Sequence, residues 1–308
     1  MLIDVHAHIF PEIRGLVAGG ATRGLGYGRA AISNKEIQMM PPLNERTEFT
    51  HEMLIANMDW AGVDKAILLQ GTFYGDWNQY ILEAIKRYPE RLSAAAYFDP
   101  WSLNNRRLFE NIVSENSFRA IKLEMSELTG FCGIYPETRL DTPELAWLWN
   151  ELERRRLILV IDLGSVGSRS YQTDAVRTIA EEYPNLRIVI AHLAQPNPKV
   201  EQDPVLWRMW EKQIDLGKLP NIWFDTASLP AYVSNEGYPY PTAARYLRMA
   251  IDKVGPHKIM WGSDIPGLLV HLNYLQLVKL AELHTQFLPS YDKDLILSKN
   301  AKEVYNLL

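Results

Sequence analysis

Hydrophobic positions fall into two alternating rhythms along the chain. Short, nearly continuous apolar runs bounded by turn residues predict strands at 2–5, 65–69, 92–97, 120–123, 157–161, 187–191, 221–224 and 258–261. Runs such as Leu157-Ile158-Leu159-Val160-Ile161 are apolar at every position. That suits parallel strands covered by helices on one side and a core on the other. Between them, apolar residues recur at helical spacing and predict helices at 50–60, 78–87, 104–115, 142–155, 173–182, 204–216, 242–253 and 273–283. Thr50 is a candidate N-cap and Gly62 a candidate terminator. Thr142-Pro143 opens its helix with a cap and a first-turn proline. Eight strand–helix pairs predict an α/β fold, a (β/α)8 barrel. An open doubly wound sheet is the alternative, because counting strands does not reveal closure. Residues 292–308 read as an extra C-terminal helix on the outside.

One segment breaks the alternation. Residues 10–47 carry Pro11, Pro41, Pro42 and a glycine-rich patch from Gly15 to Gly28. A connection this long after the first strand would lie over the mouth of a barrel, and it reads as a flap inserted into one domain spanning 1–308. The run Gly24-Leu25-Gly26-Tyr27-Gly28 lacks the strand–turn–helix frame of a phosphate cradle, so a mobile lid is the expectation.

Composition narrows the function classes. Hydrophobic residues make up 47% and charged residues 22%, which is enough to build a large core. Lys and Arg total 32 against 37 Asp and Glu, a net charge of −5. That balance argues against nucleic acid or an anionic membrane as partner. A single cysteine, Cys132, excludes a disulfide or a thiolate zinc cluster within one chain and fits a reducing cytoplasm. No basic-then-apolar leader is visible, and no apolar run approaches bilayer length.

The chemistry concentrates at predicted strand ends. His6 and His8 close the first strand in Asp4-Val5-His6-Ala7-His8. Residues two apart on a strand share a face, so both imidazoles can reach one metal ion; the alternative is two ordinary histidines. Asp264 ends the last strand in Trp261-Gly262-Ser263-Asp264. In a closed barrel that strand lies beside the first, so Asp264 can bind the same ion and take a proton from water; otherwise it only starts a turn before Pro266. His192 ends the sixth strand and faces the same mouth, as a general acid or base, a carbonyl-polarising donor, or a packed core histidine.

In this order these residues resemble the amidohydrolase superfamily. The closing Leu297-Ser298-Lys299-Asn300-Ala301-Lys302-Glu303-Val304-Tyr305 resembles the end of its amidohydrolase-2, or aminocarboxymuconate-semialdehyde decarboxylase-like, branch. The resemblance implies a distorted TIM barrel with one divalent metal, commonly zinc or manganese, and often a homodimer. It implies hydrolysis of lactones, amides or carbon–carbon bonds, decarboxylation of aromatic or unsaturated acids, or hydration of double bonds. It makes His6, His8 and Asp264 the ligands and His192 the catalytic histidine. Where relatives place a histidine ligand after the fifth strand, this chain has Asp162. Where they often read Ile-Lys-Leu-His, it has Ile121-Lys122-Leu123-Glu124. Carboxylates are harder donors than imidazole and favour Mn2+, Mg2+ or Ca2+. A further anionic ligand would also make metal-bound water less acidic. Alternatively, Asp162 holds no metal.

Lys122 and Glu124 share a strand face. They can pair with each other, or Lys122 can hold a substrate carboxylate while Glu124 ligates metal or carries protons. Trp101, near Asp99, can stack on a flat substrate. Asp225 is a weaker strand-end candidate. Arg23, with Arg14 and Arg29, can meet an anionic substrate from the flap. His51, His257, His271 and His284 fall outside strand ends and receive no role. The expectation is a metal-dependent hydrolase of a small carbonyl compound, with a lactone, amide or activated carbon–carbon bond as target. A nonoxidative decarboxylase is the alternative, and a noncatalytic ligand-binding barrel the rival from another class.

Overall fold

A computed structural model describes residues 1–115 and 117–307. Among the described residues, twelve strands and thirteen α-helices follow one another. Strand β1 is Ile3–Ala7, and a small group follows in the flap: β2 (Leu16–Val17), β3 (Gly20–Gly26), β4 (Arg29–Ile32) and β5 (Lys35–Gln38). The remaining strands are β6 (Lys65–Leu68), β7 (Leu92–Tyr97), β8 (Ala120–Glu124), β9 (Ile158–Asp162), β10 (Ile188–Ile190), β11 (Ile222–Asp225) and β12 (Ile259–Met260). The main helices are α1 (His51–Ala61), α2 (Asn78–Arg87), α3 (Asn105–Ser114), α5 (Ala146–Arg155), α6 (Thr173–Glu182), α8 (Pro204–Asp215), α10 (Pro241–Val254), α11 (Tyr274–His284) and α13 (Asn300–Tyr305). Short helices α4 (Phe131–Ile134), α7 (Pro198–Gln202), α9 (Leu229–Tyr232) and α12 (Ser290–Asp294) lie between them.

One sheet of eight strands runs β1-β6-β7-β8-β9-β10-β11-β12, all parallel. It closes on itself. Val5 N donates to Trp261 O at 3.1 Å, Asp264 N to His6 O at 2.7 Å and His8 N to Ile265 O at 2.8 Å. The open-sheet alternative is therefore set aside for the (β/α)8 barrel. Thr50 accepts from Met53 N, and Gly62 ends α1 in the left-handed conformation at φ 75°, as predicted; Thr142 makes no side-chain cap hydrogen bond, and Pro143–Leu145 form a 3-10 turn ahead of α5.

Two apolar layers form. Ile3, Val5, Ile67, Leu69, Val160 and Val189 fill the barrel, and a larger shell packs the outer strand faces against the helices. The C-terminal segment departs from expectation. Ala301, Val304 and Tyr305 of α13 pack on the inner layer and form the barrel floor instead of an external rib. Their three-and-four spacing gives the helix one apolar face, and the open lower end of the barrel is an apolar surface needing cover. Residue 308 lies outside the described residues.

The flap is a small antiparallel sheet, β2-β3-β4-β5. Tyr27 and Gly28, at φ 51° and 73°, make the tight turn between β3 and β4. Leu16 N donates to Thr72 O at 3.1 Å, and Thr22 Oγ1 to Phe73 O at 2.7 Å, tying the sheet to the β6 end of the barrel. Gly15 permits this approach, since a Cβ there would sit 1.9 Å from Thr72 O.

Candidate active site

The mouth is built by a break in the period of β1. Its register against β6 passes from Asp4↔Ala66 to Ala7↔Leu68, so three residue steps oppose two. Such a bulge re-aims side chains. Ile3 and Val5 enter the inner core, Asp4 turns outward to Ser263 and Tyr274 Oη, and His6 and His8 are left facing the mouth.

His6 is fully buried. Its Nδ1 lies 3.0 Å from Asp225 Oδ2, while its Nε2 has no hydrogen-bond partner among the described residues. His8 Nδ1 donates to Leu69 O at 2.8 Å, leaving Nε2 3.0 Å from Asp264 Oδ1. The same oxygen is 3.8 Å from His6 Nε2, and Ser228 Oγ donates to the other oxygen of Asp264. Two imidazole nitrogens and a carboxylate oxygen thus converge within 4.8 Å of one another. A buried imidazole nitrogen without a partner is costly unless something accepts its lone pair. The donor set of two histidines and one aspartate, each oriented by a second hydrogen bond, fits a divalent cation. Burial alone would raise the Asp264 pKa. The contact with His8 Nε2 and the positive charge of His192 outweigh it and hold this carboxyl well below the usual range. Burial conversely pushes both His6 and His8 below the ordinary imidazole value, favouring the neutral, ligating form.

His192 stands beside this group, its ring centroid 4.6 Å from that of His6. Its Nε2 is 3.3 Å from Asp162 Oδ2. Burial opposes the charged imidazole, but Asp162 first, then Asp264 and Asp225, overcome it and push His192 up to about 9. Asp162 is held low by the same pairing with His192 against its own desolvation. Its Oδ1 accepts from Gly164 N and Gln195 Nε2, each at 2.9 Å. The sequence placed Asp162 where a metal ligand was expected; here its oxygens are engaged by His192, Gln195 and Gly164. The two three-residue donor groups among the described residues are His6–His8–Asp264 and His6–His192–Asp225.

Two features were not legible in the sequence. Asp225, ranked as a weaker candidate, is completely buried and joins the two halves of the site. Its Oδ2 orients His6, while Oδ1 accepts from His192 N at 2.9 Å and Ala227 N at 3.0 Å. His192, Leu193, Ala194 and Gln195 all adopt positive φ, between 48° and 60°. This left-handed turn returns the Gln195 amide to Asp162. Four consecutive non-glycine residues there cost on the order of 1–2 kcal/mol each. Strand-end position flagged His192, but nothing in the side chains flagged the turn.

Lys122 is buried beneath the mouth, and its charge acts on His6, His8, Asp162 and Glu124. The expected Lys122–Glu124 ion pair is absent among the described residues. Glu124 instead lies over Gly71 and accepts from Ser126 Oγ at 3.3 Å and from Thr129 Oγ1. At the strand end its side chain is free to lean to that loop, whereas Lys122 is fixed one layer lower. Glu124 is raised by burial, with Lys122 opposing and Asp162 reinforcing the shift. Trp101 packs beside Phe131 and Tyr135, with centroids at 5.4 and 6.1 Å. Arg23 lies on β3, exposed, and its Nη1 donates to Ser33 O at 3.1 Å within the flap sheet.

The chain matches the family model described as Amidohydrolase over residues 3–307, and it belongs to that family. A curated relative, L-fucono-1,5-lactonase from Burkholderia ambifaria, is 24% identical over 67% of this chain and 66% of its own length. The chain thus matches slightly under two thirds of that relative. Among solved structures, an amidohydrolase from Burkholderia multivorans with bound zinc superposes with TM-score 0.73 at 16% identity, covering 100% of both chains. A protein named as a probable 2-pyrone-4,6-dicarboxylic acid hydrolase from Acinetobacter baumannii, with citric acid bound, gives 0.72 at 20% identity over 99% of each. The 2,6-dihydroxybenzoate decarboxylase from Rhizobium gives 0.59 at 16% identity, covering 83% of this chain and 88% of its own. No helix among the described residues is long and apolar enough to cross a membrane.

Proposed function

We propose that this amidohydrolase-family chain is a metal-dependent hydrolase that opens a small lactone. The observation carrying the reading is the partnerless buried Nε2 of His6, converging with His8 Nε2 and Asp264 Oδ1. His6, His8 and Asp264 would hold one zinc or manganese ion, and Asp225 and Leu69 O would orient the two imidazoles from behind. Bound there, the ion would supply Lewis acidity and lower the pKa of water. Asp264 is the base: held as a carboxylate, it takes a proton from the attacking water at Oδ1 or Oδ2. His192, carried as an imidazolium by Asp162, donates from Nε2 to the departing ring oxygen. Lys122, buried and without a carboxylate partner, faces negative charge on the substrate. The names of the fucono-lactonase and pyrone-dicarboxylate hydrolase relatives support a lactone as substrate class.

The test is a panel of sugar lactones, pyrone carboxylates and hydroxybenzoates, assayed after chelation and after adding back zinc or manganese. The expected result is metal-restored ring opening of lactones, with Asp264→Asn lowering kcat/KM by about a thousandfold or more. Carbon dioxide release from hydroxybenzoates, with lactones inert, would replace this reading by decarboxylation. Inactivity on all classes with no metal bound would favour a ligand-binding barrel.

A further inference from the structure

At the opposite end of the barrel from the mouth, where β8, β9 and β10 begin, lies a cavity of about 930 Å3. Its wall carries Arg119, Arg154, Arg155, Arg156 and Arg187 against one acidic residue, Glu153. In a chain of net charge −5, such a concentration of cations is local design and not the average of the surface. Arg154 and Arg155 are neutralised by Glu151 and Glu110. Arg119, Arg156 and Arg187 have no carboxylate within 4.0 Å among the described residues.

Arg187 is a fixed cation. It is half-buried, and among the described residues its guanidinium donates only to main-chain carbonyls: Val304 O and Glu303 O of the floor helix and Arg156 O at 3.1 Å. Burial, then the neighbouring charge of Arg156, makes the charged form of Arg187 harder to hold. Arg156 itself ends α5 in the left-handed conformation at φ 58°. Glycine is the residue that takes this place without strain. Here the strained position carries a guanidinium that lines the cavity.

We propose that this cavity binds a small multivalent oxyanion of the pyrophosphate class, held by Arg119, Arg156 and Arg187 at a site separate from the metal-type mouth. Planar guanidinium forks match phosphoryl oxygens two at a time, which suits this class better than a monovalent anion. Occupancy ties the starts of three barrel strands to the floor helix, so binding and stability are linked.

The experiment is calorimetric titration of the whole protein with inorganic pyrophosphate at low ionic strength. A parallel titration uses 1,3,6-naphthalenetrisulfonate, a trianion that does not strip metal. Both are expected to bind saturably at one per chain and to raise Tm. Arg156→Gly is the decisive variant because glycine accepts the φ without strain, so its own Tm stays level or rises. Its pyrophosphate affinity is expected to fall roughly tenfold, the loss of one charge-assisted contact. Arg119→Gln, at an exposed position, should weaken binding similarly. The proposal fails if the wild type shows no saturable binding, or if both variants bind like the wild type. It also fails if only pyrophosphate has an effect and added zinc abolishes it, which marks chelation at the mouth.

Discussion

His6 shows how one residue carries two demands. Nδ1 is fixed by Asp225, and that contact points Nε2 at the space shared with His8 and Asp264. Asp225→Asn keeps the volume but replaces an accepting oxygen, either at His6 or at the His192 and Ala227 amides. The expected outcome is a 10- to 100-fold loss of metal affinity, read by zinc titration against a competing chelator. Unchanged affinity would mean that Asp225 serves only the loop. At this scale the sequence was informative where position alone decides. His6, His8, His192 and Asp264 end predicted strands, and the barrel brings their side chains together. It was silent where a partner decides. Asp225 ends a strand like several other acids, and only the folding of the chain brings it beside His6, 219 positions away in sequence. Likewise Glu124 and Lys122 obey the same alternation, yet loop hydroxyls claim the first and leave the second unpaired.

At the scale of elements, period-based reading found all eight barrel strands because a doubly covered strand is apolar throughout. It missed irregularity. The bulge in β1 has no glycine or proline to mark it, and in the left-handed turn after β10 the only such signal is Pro196, just past its end. The flap reads as loop because its strands are short and largely exposed, although its Tyr27-Gly28 turn defines a hairpin. The floor helix was found but placed outside, since amphipathicity names an apolar face and not the surface that receives it. Tyr305 tests that placement. Its ring is buried among barrel residues, and its hydroxyl has no partner within the described residues. Tyr305→Ala should cost about 3–5 kcal/mol by denaturant unfolding, as for other large buried aromatics. Tyr305→Phe should stay within about 1 kcal/mol of wild type, because no hydrogen bond is lost. A small effect of the alanine change would put the helix on the surface after all.

For the whole molecule, the proposed ligands His6, His8 and Asp264 come from β1, the residue just after it and the segment after β12, so an ion bound there would staple the closure of the barrel. Chelation is expected to lower Tm, and zinc or manganese to restore it. At a hundredfold excess over Kd the linkage amounts to about 2.7 kcal/mol. A Tm indifferent to chelator would show that closure stands on the β1–β12 hydrogen bonds alone.

The floor helix also sets an order of events during synthesis. His6 and His8 leave the ribosome well before Asp264, which follows 256 residues after His8. Ala301, Val304 and Tyr305, which seal the apolar interior around Ile3 and Val5, come later still. The nascent barrel thus holds an unsealed core and an incomplete set of donors while all the residues between are made. Contacts between such distant segments form slowly and leave apolar surface exposed meanwhile. Until that helix docks, the apolar interior around Ile3 and Val5 stays open at its lower end.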